Sequence, residues 1–346
     1  MFNFHRVVSF SRSCLYLFLS IISFAMALLS VLMVGTGEYT TGYGLNSAKT
    51  DKGAGVVGLT LFDLKKRGLV GSLHLAGTNG RKLPDIRAHM ERAIGSAYAA
   101  SGYDLSLTTY PGDNEVDPVA YRAALAALPK GSAVTIFTPD DTHFAIALDC
   151  VRAGMHVLVT KPVVKTLAEH AELAAAAEAA GVLVAVEVHK RWDPIYTDAR
   201  DRLRRLGDFS YINAYMSQPK LQLATFASWA GLSSDISYYL NSHHVDFHEW
   251  VCEGRARPVR VTAMGATGVA AAALGRPCED TISVNAVWEN VKSGSTGIAS
   301  YTSSWIAPPS DVHTQQVRAM HLWCAMCAAT LGTWRYRTSR SCYSPE

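Results

Sequence analysis

Short β-branched and aromatic runs alternate along this chain with longer segments whose apolar residues recur at helical spacing, and Val134 to Pro162 holds the clearest instance. Val134 to Phe137 predicts a strand, and Thr138-Pro139-Asp140-Asp141 predicts a turn rich in helix-capping residue types. Phe144, Ile146, Ala147, Cys150 and Val151 follow at helical spacing up to the stop signal Ala153-Gly154, and His156 to Val159 predicts a second strand. A strand, crossover helix and strand of this length make a parallel unit, and parallel sheets hold ligands at the carboxyl ends of their strands. Thr138-Pro139 and Lys161-Pro162 both fall at such ends.

The same alternation runs on both sides of this unit. Leu29 to Gly37 has a buried-strand pattern ending in Gly35-Thr36-Gly37, with Gly42 and Gly44 close behind. A pyrophosphate needs such glycines, because the backbone must turn tightly and approach it closely. A lone GxG is a weak signal; its place after the first strand and ahead of a helix strengthens it. Asn46 to Lys52 reads as an insertion, and Gly55 to Lys66 as the following helix. Ser72 to Ala76 predicts the next strand, which leads into Gly77-Thr78-Asn79-Gly80-Arg81-Lys82. At that position an acidic residue would bind the ribose hydroxyls of NAD, whereas Thr78, Asn79, Arg81 and Lys82 suit the extra phosphate of NADP. The plainer reading makes Arg81 and Lys82 solvated helix-start residues.

Beyond Pro162, Thr166 to Ala180 predicts a helix stopped by Gly181, and Val182 to Val188 a strand running into His189-Lys190-Arg191-Trp192-Asp193-Pro194. Phe209 to Gln218, Val259 to Ala266, Thr281 to Trp288 and Thr296 to Trp305 have strand character, with Ser234 to Trp250 a helix across them. The fold class is therefore α/β: an N-terminal Rossmann dinucleotide-binding domain over 27–190, then an α+β domain with an open, mostly antiparallel sheet over 191–316.

Composition narrows the partners. Of 346 residues 49% are apolar, enough for two cores, and the net charge is only +3 with no basic block, which argues against nucleic acid. Seven widely spread cysteines read as mostly reduced thiols, and Cys324-Ala-Met-Cys327 lacks a second ligand pair, so no metal site is expected. Cys14 to Val34 is long enough on its face to span a bilayer, but Leu29 to Val34 is needed as the first strand. Residues 1–25 then read as a dispensable extension of a cytoplasmic protein. A functional leader, giving a secretory or membrane-anchored protein, is the alternative. The end of the chain, 317–346, is atypical. It has no Lys, its only acid is Glu346, it holds three of the seven cysteines and it shows no strand alternation, as a frameshifted or alternatively spliced end would.

Taken together, Thr138-Pro139-Asp-Asp-Thr-His143, Ala153-Gly154-Met-His156-Val157, Lys161-Pro162, Arg191-Trp192-Asp-Pro194 and Tyr239-Leu-Asn-Ser-His243-His244-Val-Asp246 resemble the motifs of the Gfo/Idh/MocA oxidoreductase family over roughly Leu29 to Val312. The resemblance implies catalytic roles for Lys161 and His243. It implies cofactor contacts from Gly35, Thr36, Gly37, Thr78, Asn79, Arg81, Thr138, Pro139, His143 and Lys161, and substrate contacts from Lys190, Arg191, Tyr239, His244 and Asp246. Two positions depart from the family pattern: Thr160 replaces a Glu before Lys-Pro, and Tyr239 replaces an Asp.

Carbonyl reduction needs a hydride and a proton, and a lysine of depressed pKa or a histidine supplies the proton near neutrality. Within the family the run is most similar to D-galacturonate reductases. The expected activity is thus NADP-dependent reduction of a sugar or sugar acid, D-galacturonate to L-galactonate, with NAD as the alternative cofactor. A homo-oligomer joined through the second-domain sheet is also expected. The rival is a non-catalytic nucleotide-binding sensor of the same fold, which Thr160 and Tyr239 would fit.

Overall fold

The computed structural model describes residues 28–44, 52–308, 314–321 and 334–338. The extension over 1–25, residues 46–51 of the expected insertion, and Cys324 and Cys327 lie outside the described residues.

Among the described residues the first sheet has six parallel strands, β1 (Leu29–Val34), β2 (Val70–Ala76), β3 (Thr108–Tyr110), β4 (Ala133–Ile136), β5 (His156–Thr160) and β6 (Val184–Glu187). Their order is β3-β2-β1-β4-β5-β6. Helices α1 (Glu38–Thr41), α2 (Val56–Lys66), α3 (Leu83–Met90), α4 (Tyr121–Ala127), α5 (His143–Arg152) and α6 (Leu167–Ala180) connect them. Central strands read as unbroken apolar runs because both faces are covered. Leu32 and Val34 point into the core shared with α4 and α5, and Val31 and Met33 into the core shared with α2 and α3. Strand order reverses between β1 and β4, so the crevice at their carboxyl ends is the expected ligand position. α6 starts on a capping box, in which Thr166 accepts from the Glu169 N–H and Glu169 accepts from the Thr166 N–H, and it stops at left-handed Gly181.

The second sheet holds β7 (Phe209–Pro219), β8 (Ala256–Thr267), β9 (Glu279–Asn290), β10 (Thr296–Ala307), β11 (Thr314–His321) and β12 (Trp334–Thr338). The order is β12-β11-β7-β10-β9-β8; β7 and β10 pair in parallel and the other pairs are antiparallel. Helices α7 (Pro194–Arg204), α8 (Leu223–Phe226), α9 (Ser242–Cys252) and α10 (Val269–Leu274) accompany it. α7 begins on Asp193, whose carboxylate accepts from the Ile195 N–H, with Pro194 in the first turn. This is the physical content of the Asp-Pro pair. α7 and α9 cover one sheet face through Tyr196, Leu203, Phe247 and Val251. On the other face Tyr211, Asn213 and Tyr215 alternate with buried neighbours and stay partly exposed.

Three expectations change. β11 and β12 correct the reading that nothing after 316 extends the sheet: β11 pairs antiparallel with the edge of β7 and β12 with β11. An open strand edge recruits backbone by hydrogen bonding, which leaves no alternation in the sequence. The helix predicted over Ser234 to Trp250 forms with a π-type turn at Ser237–Asn241 that runs directly into α9, and the Asp235 carboxylate caps its start, accepting from the Ser237 and Tyr238 N–H groups at 2.7 and 2.8 Å. A one-turn helix, α1, also precedes the expected α2. Among the described residues no helix is long and apolar enough to cross a membrane, and Leu29–Val34 of the long apolar run is β1.

Candidate active site

The turn after β1 is set by glycine. Gly35 has φ 108°, and a Cβ there would lie 2.1 Å from the Phe137 carbonyl oxygen, so no other residue fits. At Gly37 a Cβ would meet nothing within 4 Å, leaving open space over the uncapped start of α1. This cradle fits a dinucleotide pyrophosphate, held by backbone N–H groups. Thr36 borders Gly77, where a Cβ would lie 2.7 Å from its methyl group, so the turn and the end of β2 line one crevice. Beyond it Thr78, Arg81 and Lys82 are exposed, and the Asn79 side chain accepts from the Arg81 N–H at 3.1 Å.

At the end of β4, Thr138 packs its methyl group against Gly35 and accepts from the Thr142 hydroxyl at 2.7 Å, while Pro139 is exposed. His143 has no exposed surface; Nδ1 lies 2.8 Å from the Pro162 oxygen and Nε2 2.9 Å from the Thr138 oxygen. Both nitrogens face backbone carbonyls, so His143 ties the β4 turn to the Lys161-Pro162 loop.

Lys161 reaches across the domain boundary. Its ammonium donates to the Tyr239 carbonyl and lies 4.1 Å from the centre of the Tyr239 ring. Tyr239 thus occupies the ammonium where the family's Asp is expected. Lys161 is partly exposed as a residue, but its ammonium is enclosed, and burial pushes its pKa down to about 8 against the opposing pull of Asp140 and Glu187. The carboxylate missing at Thr160 is supplied nearby, because β5 pairs Thr160 with Glu187 on β6. Lys165 donates to the Ser233 carbonyl and the Tyr238 hydroxyl donates to the Lys165 carbonyl, each at 2.9 Å, which joins the same loop to the second domain.

His243, on the first turn of α9, is buried, and its Nδ1 has no hydrogen-bond partner. Burial lowers its pKa well below the ordinary value, helped by the charges of Lys161, His189 and Lys190. The His189 ring packs edge-on against it with centres 4.9 Å apart, and His189 Nδ1 lies 3.2 Å from Glu187 Oε1. Lys190 lies 5.1 Å from the Tyr196 ring centre, and burial lowers its pKa.

The remaining expected substrate ligands are differently engaged. Arg191 and Asp246 grip each other in a fork at 2.7 and 3.0 Å, so neither charge is free for a ligand in this arrangement. His244 turns toward the sheet, with Nδ1 3.0 Å from Asn241 Oδ1, which also accepts from the Ser303 hydroxyl at 2.5 Å. Burial, with Lys190 beside it, pushes the His244 pKa down to about 3. On a helix residue 244 points about a quarter-turn from 243, and its Nε2 has no hydrogen-bond partner. Asp140 is the residue that sequence reasoning passed over as a cap. It sits by the site with its pKa raised by burial and held back by Lys161 and Lys165, and its place in the motif Thr138 to His143 was the available signal.

A glycine cradle at the switch point of a parallel sheet, with a lysine at the next strand end, has the arrangement of a dinucleotide-binding domain. Residues 29–188, a little under half of the chain, match the Gfo/Idh/MocA model, described as an oxidoreductase family with an NAD-binding Rossmann fold. The uncharacterised oxidoreductase YdgJ of Escherichia coli is 32% identical over 121 residues, 34% of this chain and 35% of that protein. The scyllo-inositol 2-dehydrogenase (NADP(+)) IolW of Bacillus subtilis is 32% identical over 117 residues, 33% of this chain and 32% of that protein. The matched stretch thus spans about a third of the length of these curated relatives.

Similarity of fold extends further. A myo-inositol 2-dehydrogenase from Lactobacillus plantarum superposes with TM-score 0.61 at 16% identity, over 89% of this chain and 76% of that one. A scyllo-inositol dehydrogenase from Lactobacillus casei with bound NAD(H) and scyllo-inositol gives TM-score 0.60 at 14% identity, over 89% and 76% of the two chains.

Proposed function

We propose that the protein is an NADP-dependent oxidoreductase that interconverts a hydroxyl and a carbonyl on a sugar, sugar acid or polyol. The observation that carries this reading is the glycine turn at the switch point of the parallel sheet together with Lys161, whose ammonium reaches Tyr239, four residues before the buried His243. A bound dinucleotide would accept or donate the hydride. Gly35, Thr36, Gly37, Thr138 and Pro139 would hold its pyrophosphate and nicotinamide half, and Thr78, Asn79 and Arg81 the adenosine phosphate. Lys161 and His243 would move the hydroxyl proton, and Tyr239 would keep the lysine in place until substrate draws it away.

D-galacturonate remains the proposed substrate of finer detail, to be reduced to L-galactonate. Lys190 beside Lys161 supports an anionic group, although Arg191 is turned to Asp246. The similar inositol dehydrogenases make scyllo- and myo-inositol the direct competitors. A spectrophotometric screen of NADPH with uronates and of NADP+ with inositols decides between them; turnover of inositols alone rejects the uronate. Tighter binding of NAD(H) than NADP(H) rejects the cofactor assignment. The non-catalytic sensor is the second reading, favoured by the engagement of the Lys161 ammonium with Tyr239. It requires dinucleotide binding without turnover in the whole screen. We also propose that the partly exposed row Tyr211, Asn213 and Tyr215 joins subunits into a homo-oligomer.

A further inference from the structure

We propose that His189, oriented by Glu187, carries the reaction proton between His243 and bulk solvent; the proposal rests on the oxidoreductase reading above. His243 is 4% exposed, and its Nδ1 is enclosed and unpartnered, so that nitrogen does not meet bulk water directly. The His189 side chain is 48% exposed and its ring meets the His243 ring edge to face, centres 4.9 Å apart at 68°. Glu187 Oε1, 3.2 Å from His189 Nδ1, fixes that nitrogen as the donor and leaves Nε2 for exchange. One histidine is therefore nearly enclosed in the site, and its neighbour stands between it and solvent with a carboxylate behind it.

The surrounding charges give the transfer a direction. Facing the pair are Lys161 from the end of β5, Glu187 from β6, Lys190 from the turn that carries His189, and His244 from α9, with Asp140 beside Lys161. Lys161 and Lys190 disfavour a proton on His243, and the Glu187 carboxylate stands at His189 Nδ1. When a substrate hydroxyl is oxidised, its carbon gives up a hydride to the dinucleotide and its oxygen gives up a proton. His243 takes that proton, His189 receives it and water accepts it, so both rings end neutral. Reduction runs the same steps in reverse. The contact between the rings is not yet a hydrogen bond, and a rotation of His189 or one bridging water completes it.

His189→Asn and Glu187→Gln test the proposal in the full chain, with whichever of D-galacturonate plus NADPH or scyllo-inositol plus NADP+ the unaltered enzyme turns over. His189→Asn is expected to lower kcat about 10- to 100-fold, at or below the usual range for acid-base groups, with KM nearly unchanged. Added imidazole should restore part of the rate, which no merely structural loss permits, and Glu187→Gln should show a smaller deficit. A His189→Asn rate within about twofold of the unaltered enzyme, insensitive to imidazole, overturns the relay. Water exchange of the His243 ring N–H, followed by ¹⁵N-histidine NMR, needs no substrate. It should slow about tenfold in His189→Asn, and equal or faster exchange overturns the relay. Failure of every substrate with the unaltered enzyme would strike the oxidoreductase reading alone and leave the NMR result to decide the relay.

Discussion

Lys161 meets two opposed requirements, because the enclosure that brings its pKa to about 8 also makes its charged form costly to hold in the folded protein. Its ordinary value is 10.5, so the folded state resists protonation: the cost is absent above about pH 10.5, grows as pH falls to about 8 and is constant below that. Lys161→Met should therefore raise Tm at pH 7 by several degrees while removing activity, and an unchanged or lower Tm would contradict this burial argument. In the unaltered enzyme, kcat/KM for reduction should fall as pH rises through about 8, where the acid is lost, and for oxidation should rise over the same interval. Paired pH-rate profiles check both signs. Lys161 and His243 were legible from sequence, since each stands in a motif at a strand or helix end. Asp140 and Glu187 were not legible as their partners. Glu187 stands beside Thr160 only through the β5–β6 register, and the position of Asp140 depends on how the β4 turn folds back.

The loop from Thr160 to Thr166 is held at both ends by elements distant in sequence. His143 anchors it from α5, and Lys165 and Tyr238 anchor it to the second domain. Loss of the buried imidazole removes its contacts with the Thr138 and Pro162 carbonyls and opens a void, so His143→Ala should destabilise the protein by about 2–4 kcal/mol in denaturant titrations. Thr166→Ala, which removes one half of the capping box, should cost about 1 kcal/mol in the same assay. The box itself could be read from Thr166 and Glu169, and α5, α6 and β4 to β6 follow their apolar periods. β11 could not be read that way: its place comes from the open edge of β7, a partner more than ninety residues earlier in the chain.

Two sheets, one parallel and one mixed, meet where Lys161 of the first reaches Tyr239 of the second, so the site exists only when both domains are folded. The mixed sheet keeps Tyr211, Asn213 and Tyr215 partly exposed, and light scattering should find an oligomer that Tyr211→Lys with Tyr215→Lys dissociates. A monomeric unaltered protein would contradict that assembly. Lys161 and His243 are proposed as the proton-transfer pair of a dinucleotide-dependent reaction. Turnover of the unaltered protein and of Lys161→Ala, followed by NADPH absorbance with the uronate and inositol panel, tests this assignment most directly. Measurable turnover is expected, falling about 10²- to 10⁴-fold in the variant with dinucleotide binding retained. Near-normal turnover by Lys161→Ala would contradict it.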